Sequence, residues 1–276
     1  MTLPHDVRRL APDDAGALEA FLDALPRSQL YLRAAGAAPA TFVGAFSGDR
    51  LDAVTQSSAP PSLVVAGDPA GLSAIARDTA TPRAPWRVMV GRDADALAWL
   101  AAEAGADAVS RRHRYLVLDA LPAGEPDAEE VERATAKDFD TLVDLSFAFH
   151  RDDDPSGAAP RESRAVAART RARIAAGSTF VLRRAGLPVF MADVGVEEPS
   201  LGALLGGIVT HPEWRGRGIA RAGLPSLCRR LFARGMPTVA LHVAEENAAA
   251  RGLYAVVGFR EIDVFRVAYA RAVRAS

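Results

Sequence analysis

An apolar run from Ala203 to Thr210 passes into His211-Pro-Glu-Trp-Arg-Gly-Arg-Gly-Ile-Ala220, a loop punctuated by Gly216 and Gly218. The pattern predicts a strand, a tight loop and then a helix from about Ile219 to Arg234. Glycines at those positions remove side chains that would keep an anion from the backbone N–H groups. The helix start aims its unpaired N–H groups and positive dipole end at the same spot, and Arg215 and Arg217 add charge, so the geometry suits a pyrophosphate. Pro225 falls inside this helix and costs it a hydrogen bond. One strand later, Asn247-Ala-Ala-Ala-Arg-Gly-Leu-Tyr-Ala-Val-Val-Gly-Phe259 sets Asn247 and Tyr254 seven residues apart, almost on one helical face.

The N-terminal half echoes this C-terminal half. Val7-x-Arg9-x-x-x-x-Asp14-x-x-x-Leu18 returns as Val131-x-Arg133-x-x-x-x-Asp138-x-x-x-Leu142, each a short strand entering an amphipathic helix with Asp13 or Thr135 near the cap. Phe42 to Gly48 and Phe180 to Gly186 each end at a glycine turn, with hairpins returning along Leu51 to Gln56 and Val189 to Val196. Arg87 to Val90 followed by a helix at Ala94–Ala104 mirrors Val239 to Val243 followed by Ala248–Val257. The proline and glycine content of Leu121 to Asp127 marks a linker, giving two domains of related design, 1–121 and 128–276. Only the second half has the chemistry. After a strand at Leu63–Ala66, the first half has Gly67-Asp68-Pro69-Ala70-Gly71, without the arginine and second loop glycine. Asp68 there is a good helix cap and sets negative charge where a pyrophosphate would lie.

Composition excludes several classes. A formal net charge of -1 gives no global field for nucleic acid or anionic lipid, so neither is expected as a partner. Cys228, the only cysteine, excludes an internal disulfide and reads as a small buried hydrophobe. No paired Cys/His spacing suggests a metal. No apolar run approaches the ~20 residues a membrane helix needs, and the first ten residues lack the apolar core of a signal peptide. A cytoplasmic location is the expectation.

Taken in order, the two C-terminal motifs resemble the coenzyme-binding half of the GNAT superfamily of acyl-CoA-dependent N-acyltransferases. Arg215, Gly218 and Ala220 fit that family's Gln/Arg-x-x-Gly-x-Gly/Ala loop; Asn247, Leu253, Tyr254, Gly258 and Phe259 fit its second motif. The resemblance is close from Ala203 to Phe259, looser from Val131 onward, and one of pattern only in the N-terminal half. It implies an α/β protein of tandem GNAT-like domains, each a mixed, mostly antiparallel sheet flanked by helices. The C-terminal domain would transfer an acetyl group from acetyl-CoA to a primary amine by direct attack, and the N-terminal one would lack coenzyme binding.

Site residues follow from the same resemblance. Where Gly206-Gly207 interrupts the strand, Ile208, Val209 and Thr210 would offer backbone to pantetheine. Arg215, Gly216, Arg217, Gly218, Ile219 and Ala220 would hold the pyrophosphate. Asn247 would bond the pantetheine arm or simply cap its helix. Tyr254 would donate a proton to the departing thiolate, or else pack in the core. For a base, Asp193, Glu245, Glu246, His150 and His242 are candidates, each equally readable as structural. The segment His150-Arg-Asp-Asp-Asp-Pro155 would attract a small cationic amine, unless it is a solvated acidic loop. Two other readings stand beside this one: a non-catalytic acyl-CoA sensor, and an enzyme similar to the mycothiol synthases, which acetylate a small aminothiol precursor. The sequence leaves oligomeric state open.

Overall fold

A computed structural model describes residues 5–35, 39–58, 62–81, 86–103, 107–122, 129–153 and 163–271. The contacts divide the chain into two compact units, residues 1–114 with 263–276, and residues 115–262. Most of the linker expected at 121–127 lies outside the described residues. Among those described, no helix is long and apolar enough to cross a membrane.

The first unit contains β1 (Asp6–Arg9), α1 (Ala15–Ala24), α2 (Leu30–Ala35), β2 (Phe42–Ser47), β3 (Arg50–Ser58), β4 (Ser62–Gly67), α3 (Pro69–Arg77), β5 (Val88–Arg92), α4 (Asp93–Ala102) and the start of β6 (Ala108–Leu118). Its strands lie in chain order from β1 to β5, antiparallel except for the parallel pair β4 and β5. Residues Phe265–Tyr269, from the far end of the sequence, pair antiparallel with the other side of β5. Alternation along β4 makes both layers: Leu63 and Val65 pack with Leu72, Ile75 and Trp99, whereas Val64 and Ala66 pack with Leu18, Leu22 and Leu32.

The second unit repeats the plan with β7 (Glu132–Arg133), α5 (Phe139–Asp153), α6 (Ser163–Ala175), β8 (Thr179–Arg184), β9 (Leu187–Glu198), β10 (Gly202–Thr210), α7 (Ile219–Ala233), β11 (Val239–Ala244) and α8 (Ala248–Val257); β12 (Arg260–Ala270) follows. Strands β7 to β10 are successive antiparallel neighbours, and β11 joins β10 in parallel. Leu142 and Leu145 of α5 pack with Val181, Met191 and Val209 on one face of the sheet. Leu224, Leu227 and Leu231 of α7, with Tyr254 and Val257 of α8, pack with Phe190, Leu205 and Leu241. The fold class expected from sequence is the one observed. Burial also pushes the Cys228 thiol up from its ordinary value, in keeping with a core residue.

Thr135 is the cap in the second unit, as expected, and its backbone N–H donates to the Asp138 carboxylate three residues on at 2.7 Å. In the first unit Ala11 and Asp14 hold these places, not Asp13: the Asp14 carboxylate accepts from the Ala11 N–H at 2.8 Å. The neighbouring cation differs between the units. Arg8 pairs with Asp14 at 2.5 Å, but Asp138 takes Arg183 from β8, at 2.5 and 2.9 Å. That guanidinium, with the Thr135 N–H and hydroxyl, holds the buried Asp138 carboxyl down at about 2 despite its burial. Because the folded value lies below the ordinary 3.8, the stabilisation is fully present above about pH 4 and lost as pH falls through about 2. With Arg183 partly solvated, the expected contribution is roughly 1–2 kcal/mol. Asp138→Asn should therefore lower stability by about that amount at pH 7, and flatten its dependence between pH 4 and 2, in urea melts taken across that range.

Candidate active site

The site begins where β10 and β11 part. They pair only from Ala203–Leu205 to Val239–Leu241, while β10 runs on to Thr210 and β11 to Ala244. Gly206 to Thr210 thus present backbone toward a gap instead of toward β11. On its other edge β10 is bulged: Gly206 opposes Asp193 and Val209 opposes Met191, so Gly207 and Ile208 share the single residue Ala192. Gly207 has φ +55°, and a Cβ there would overlap Asp193 Oδ2, so two separate constraints require glycine.

Asp193 is buried under that bulge, where it accepts hydrogen bonds from Thr179 Oγ1 at 2.5 Å and Arg173 Nη1 at 2.6 Å. Burial raises its carboxyl from the ordinary value, opposed by Arg173 and Thr179. Each oxygen is committed to one of these donors, and the carboxylate supports the bulged strand. Of the other acid–base candidates, His242 lies one residue beyond the last paired position of β11, with its ring edge-on to Tyr115 at 4.8 Å. His150 sits on α5 beside the Phe149 ring at 5.6 Å, and Glu245 and Glu246 follow the end of β11.

Past Thr210 the loop folds as its residues dictate. His211 Nδ1 accepts from the Glu213 N–H at 3.3 Å, and Arg215 Nε donates to the Thr210 carbonyl at 3.2 Å. Gly216 and Gly218 have φ of +72° and +76°, and a Cβ added to either would meet nothing within 4 Å. Glycine is needed here for its backbone, and the space above the loop is open. Gly218 begins α7 without a side-chain cap, so Ile219, Ala220 and Arg221 start a helix whose first N–H groups have no side-chain acceptor. Arg217 lies over the Trp214 ring at 5.1 Å, and Arg215 Nη2 bonds Asp152 Oδ2 of α5 at 2.8 Å. Backbone donors, two arginines and a helix dipole thus converge on one open spot, an arrangement with the chemistry to receive phosphate.

Asn247 caps α8: its Oδ1 accepts from the Ala250 N–H at 3.0 Å, and the residue is exposed. Tyr254 is 6% exposed, within the core on the α7 and α8 face, its ring edge-on to Phe259 at 5.8 Å. Of the acidic run, Asp152 is engaged by Arg215; the Asp153 side chain and Asp154 lie outside the described residues. Sequence reasoning did not find the Asp152–Arg215 pair, nor the reach of Arg173 to Asp193. The one available signal was the bulge glycine pair, which marks a crowded place without saying which side chain crowds it.

The equivalent place in the first unit is closed. Its parallel pair holds from Ser62 to Val65 against Val88 to Gly91, and Gly91 sits so close to Val65 that a Cβ would come within 2.6 Å of Cγ2. Asp68 accepts from the Ala70 and Gly71 N–H groups at 2.9 and 3.1 Å, so the N-terminus of α3 already holds a carboxylate.

Residues 139–259 match the model of the acetyltransferase (GNAT) family. Among solved structures, the chain is similar to a GCN5-related N-acetyltransferase from Sphaerobacter thermophilus, at 18% identity and TM-score 0.62, covering 96% of this chain and 95% of that one. A GNAT-family acetyltransferase from Colwellia psychrerythraea gives 15% identity and TM-score 0.60 over 96% and 99% of the two chains. A tandem GNAT protein from the clavulanic acid biosynthesis pathway gives 16% and 0.56 over 99% and 100%. At these identities the likeness is one of fold.

Proposed function

We propose, because residues 139–259 match the model of the acetyltransferase (GNAT) family, that this protein transfers an acetyl group from acetyl-CoA to the primary amine of a small molecule by direct attack. The observation that carries the proposal is the parting of β10 and β11 after Leu205 and Leu241, directly before the open glycine loop. Pantetheine would lie in the gap as a short additional strand, bonded to the backbone of Ile208, Val209 and Thr210. Its pyrophosphate would meet the N–H groups from Gly216 to Ala220 and the guanidinium groups of Arg215 and Arg217. Arg215 would then exchange Asp152 for phosphate, a small loss because both partners of the pair are about half exposed.

In the reaction, the amine nitrogen forms a bond to the acetyl carbonyl carbon as the carbon–sulfur bond breaks. The thiolate takes a proton from the Tyr254 phenol, and the nitrogen loses one, directly or through water. Asn247 stands at the start of the helix that carries Tyr254, where its cap fixes the first turn. No coenzyme is expected on residues 1–121, where the equivalent strands stay paired and the helix start holds Asp68.

Calorimetry with acetyl-CoA and with CoA should give one site per chain. Two sites, or none, would count against the assignment. Release of free thiol in a screen of small amines tests the transfer itself.

A further inference from the structure

Helix α6 carries two arginines one turn apart in unlike surroundings. Arg173 reaches β9, where Asp193 neutralises it at 2.6 Å. Arg169 has no such partner: its Nη2 is shut off from solvent without a hydrogen-bond acceptor. Burial, together with the like charge of Arg173, holds its guanidinium below the ordinary value. A buried N–H without an acceptor destabilises the fold, more so when the group is charged. Among the described residues, nothing offsets that cost.

The fold sets Arg169 level with the gap. Residues 176–178 turn α6 back into β8, so helix and strand run in opposite senses. Four residues before Arg173, Arg169 therefore lies about 6 Å farther toward the end of the sheet where β10 finishes at Thr210. Helix α5 gives the same direction. Its Ser146 Oγ lies 3.5 Å from Thr170 Oγ1, beside Arg169, and its Asp152, more than a turn farther on, reaches Arg215. Along the strand direction Arg169 is thus level with the stretch between the Gly207 bulge, where Arg173 is held, and the Arg215 loop. That is the length of β10 that β11 leaves unpaired, on the face where Ile174 packs with Val209.

We propose that Arg169 binds a substrate carboxylate on the α5 and α6 side of this gap, which makes the acceptor an amino acid or a similar zwitterion. The guanidinium presents a planar fork that a carboxylate meets with two parallel hydrogen bonds, and binding would supply the acceptor that Nη2 lacks. The same chemistry could come from the acyl group of a dicarboxylic thioester. The proposal rests on the acyl-transfer reading above, and acetyl-CoA binding by calorimetry separates a failure of that reading from a failure of this one.

The test compares a panel of amino acids with their amides as acceptors of acetyl-CoA, and succinyl-CoA with acetyl-CoA as donors, in the wild type and in Arg169→Gln. Amino acids should exceed their amides in kcat/KM by about 10- to 100-fold, the size of a charge-assisted hydrogen bond. Arg169→Gln should erase that ratio while leaving KM for acetyl-CoA in place. A preference for succinyl-CoA erased by the variant instead would keep the carboxylate site and assign it to the donor. The variant should also melt at the same or a higher temperature, since it removes a partly buried cation whose Nη2 has no acceptor, whereas a merely structural arginine would lower Tm. The proposal falls if amides match amino acids and the two donors match each other. It also falls if the variant weakens every substrate alike, or if acetyl-CoA binds while no carboxylate substrate is turned over.

Discussion

Tyr254→Phe is expected to lower kcat for acetyl transfer by about 10- to 1000-fold with a smaller change in KM for acetyl-CoA, the range for losing one positioned proton donor. The substitution isolates the hydroxyl. Phenylalanine keeps the ring among the α7 and α8 core residues and its edge-on contact with Phe259, so the fold should be retained. If wild-type turnover survives, Tyr254 is a packing residue and the thiolate leaves without its help. A pre-steady-state measurement of thiol release separates a slowed chemical step from slowed product release.

Gly218→Glu should weaken acetyl-CoA binding by at least about 100-fold in calorimetry. Two causes act together. A carboxylate would stand at the start of α7, where the proposed pyrophosphate site is, and like charges held close repel strongly in a partly desolvated site. The backbone at φ +76° would also carry a side chain there, at about 1–2 kcal/mol. Steric clash is not among the causes, because a Cβ meets nothing within 4 Å. Gly218→Asn separates the two: asparagine tolerates the left-handed region and adds no charge, so binding should drop far less. Equal losses would point to the backbone alone.

Local patterns were the legible part of this chain. The run from Ala203 to Thr210, the glycine loop and the helix after it appear within a residue or two of where periodicity set them, because each depends on neighbours in sequence. The echo between halves was also real at Asp14 and Asp138, yet the cations they hold come from different strands. At the position equivalent to Arg8 stands Glu132, and Arg183 bridges Glu132 and Asp138 in the second unit. A sequence offset cannot reveal that exchange, since Arg183 is brought there by β8. Asp193 shows the same limit. It could be read as a possible base until Arg173 and Thr179 were seen on its two oxygens. Residues whose roles are set by partners across the fold stay open until the strands are paired.

Strand β5 has Phe265–Tyr269 as one of its two neighbours, although some 170 residues intervene. On a ribosome, a domain at the start of a chain ordinarily folds before the rest emerges. Here the first unit must wait for Phe265–Tyr269 to be synthesised, with the second unit already made in between. Until then β5 keeps a bare edge of backbone donors and acceptors, the kind of surface on which chains pair with one another. A fragment ending near residue 121 would carry that edge permanently. The two units are thus separate in their cores but bound to a common finish in time: neither residues 1–121 nor a nascent chain stalled before residue 265 makes a complete first domain.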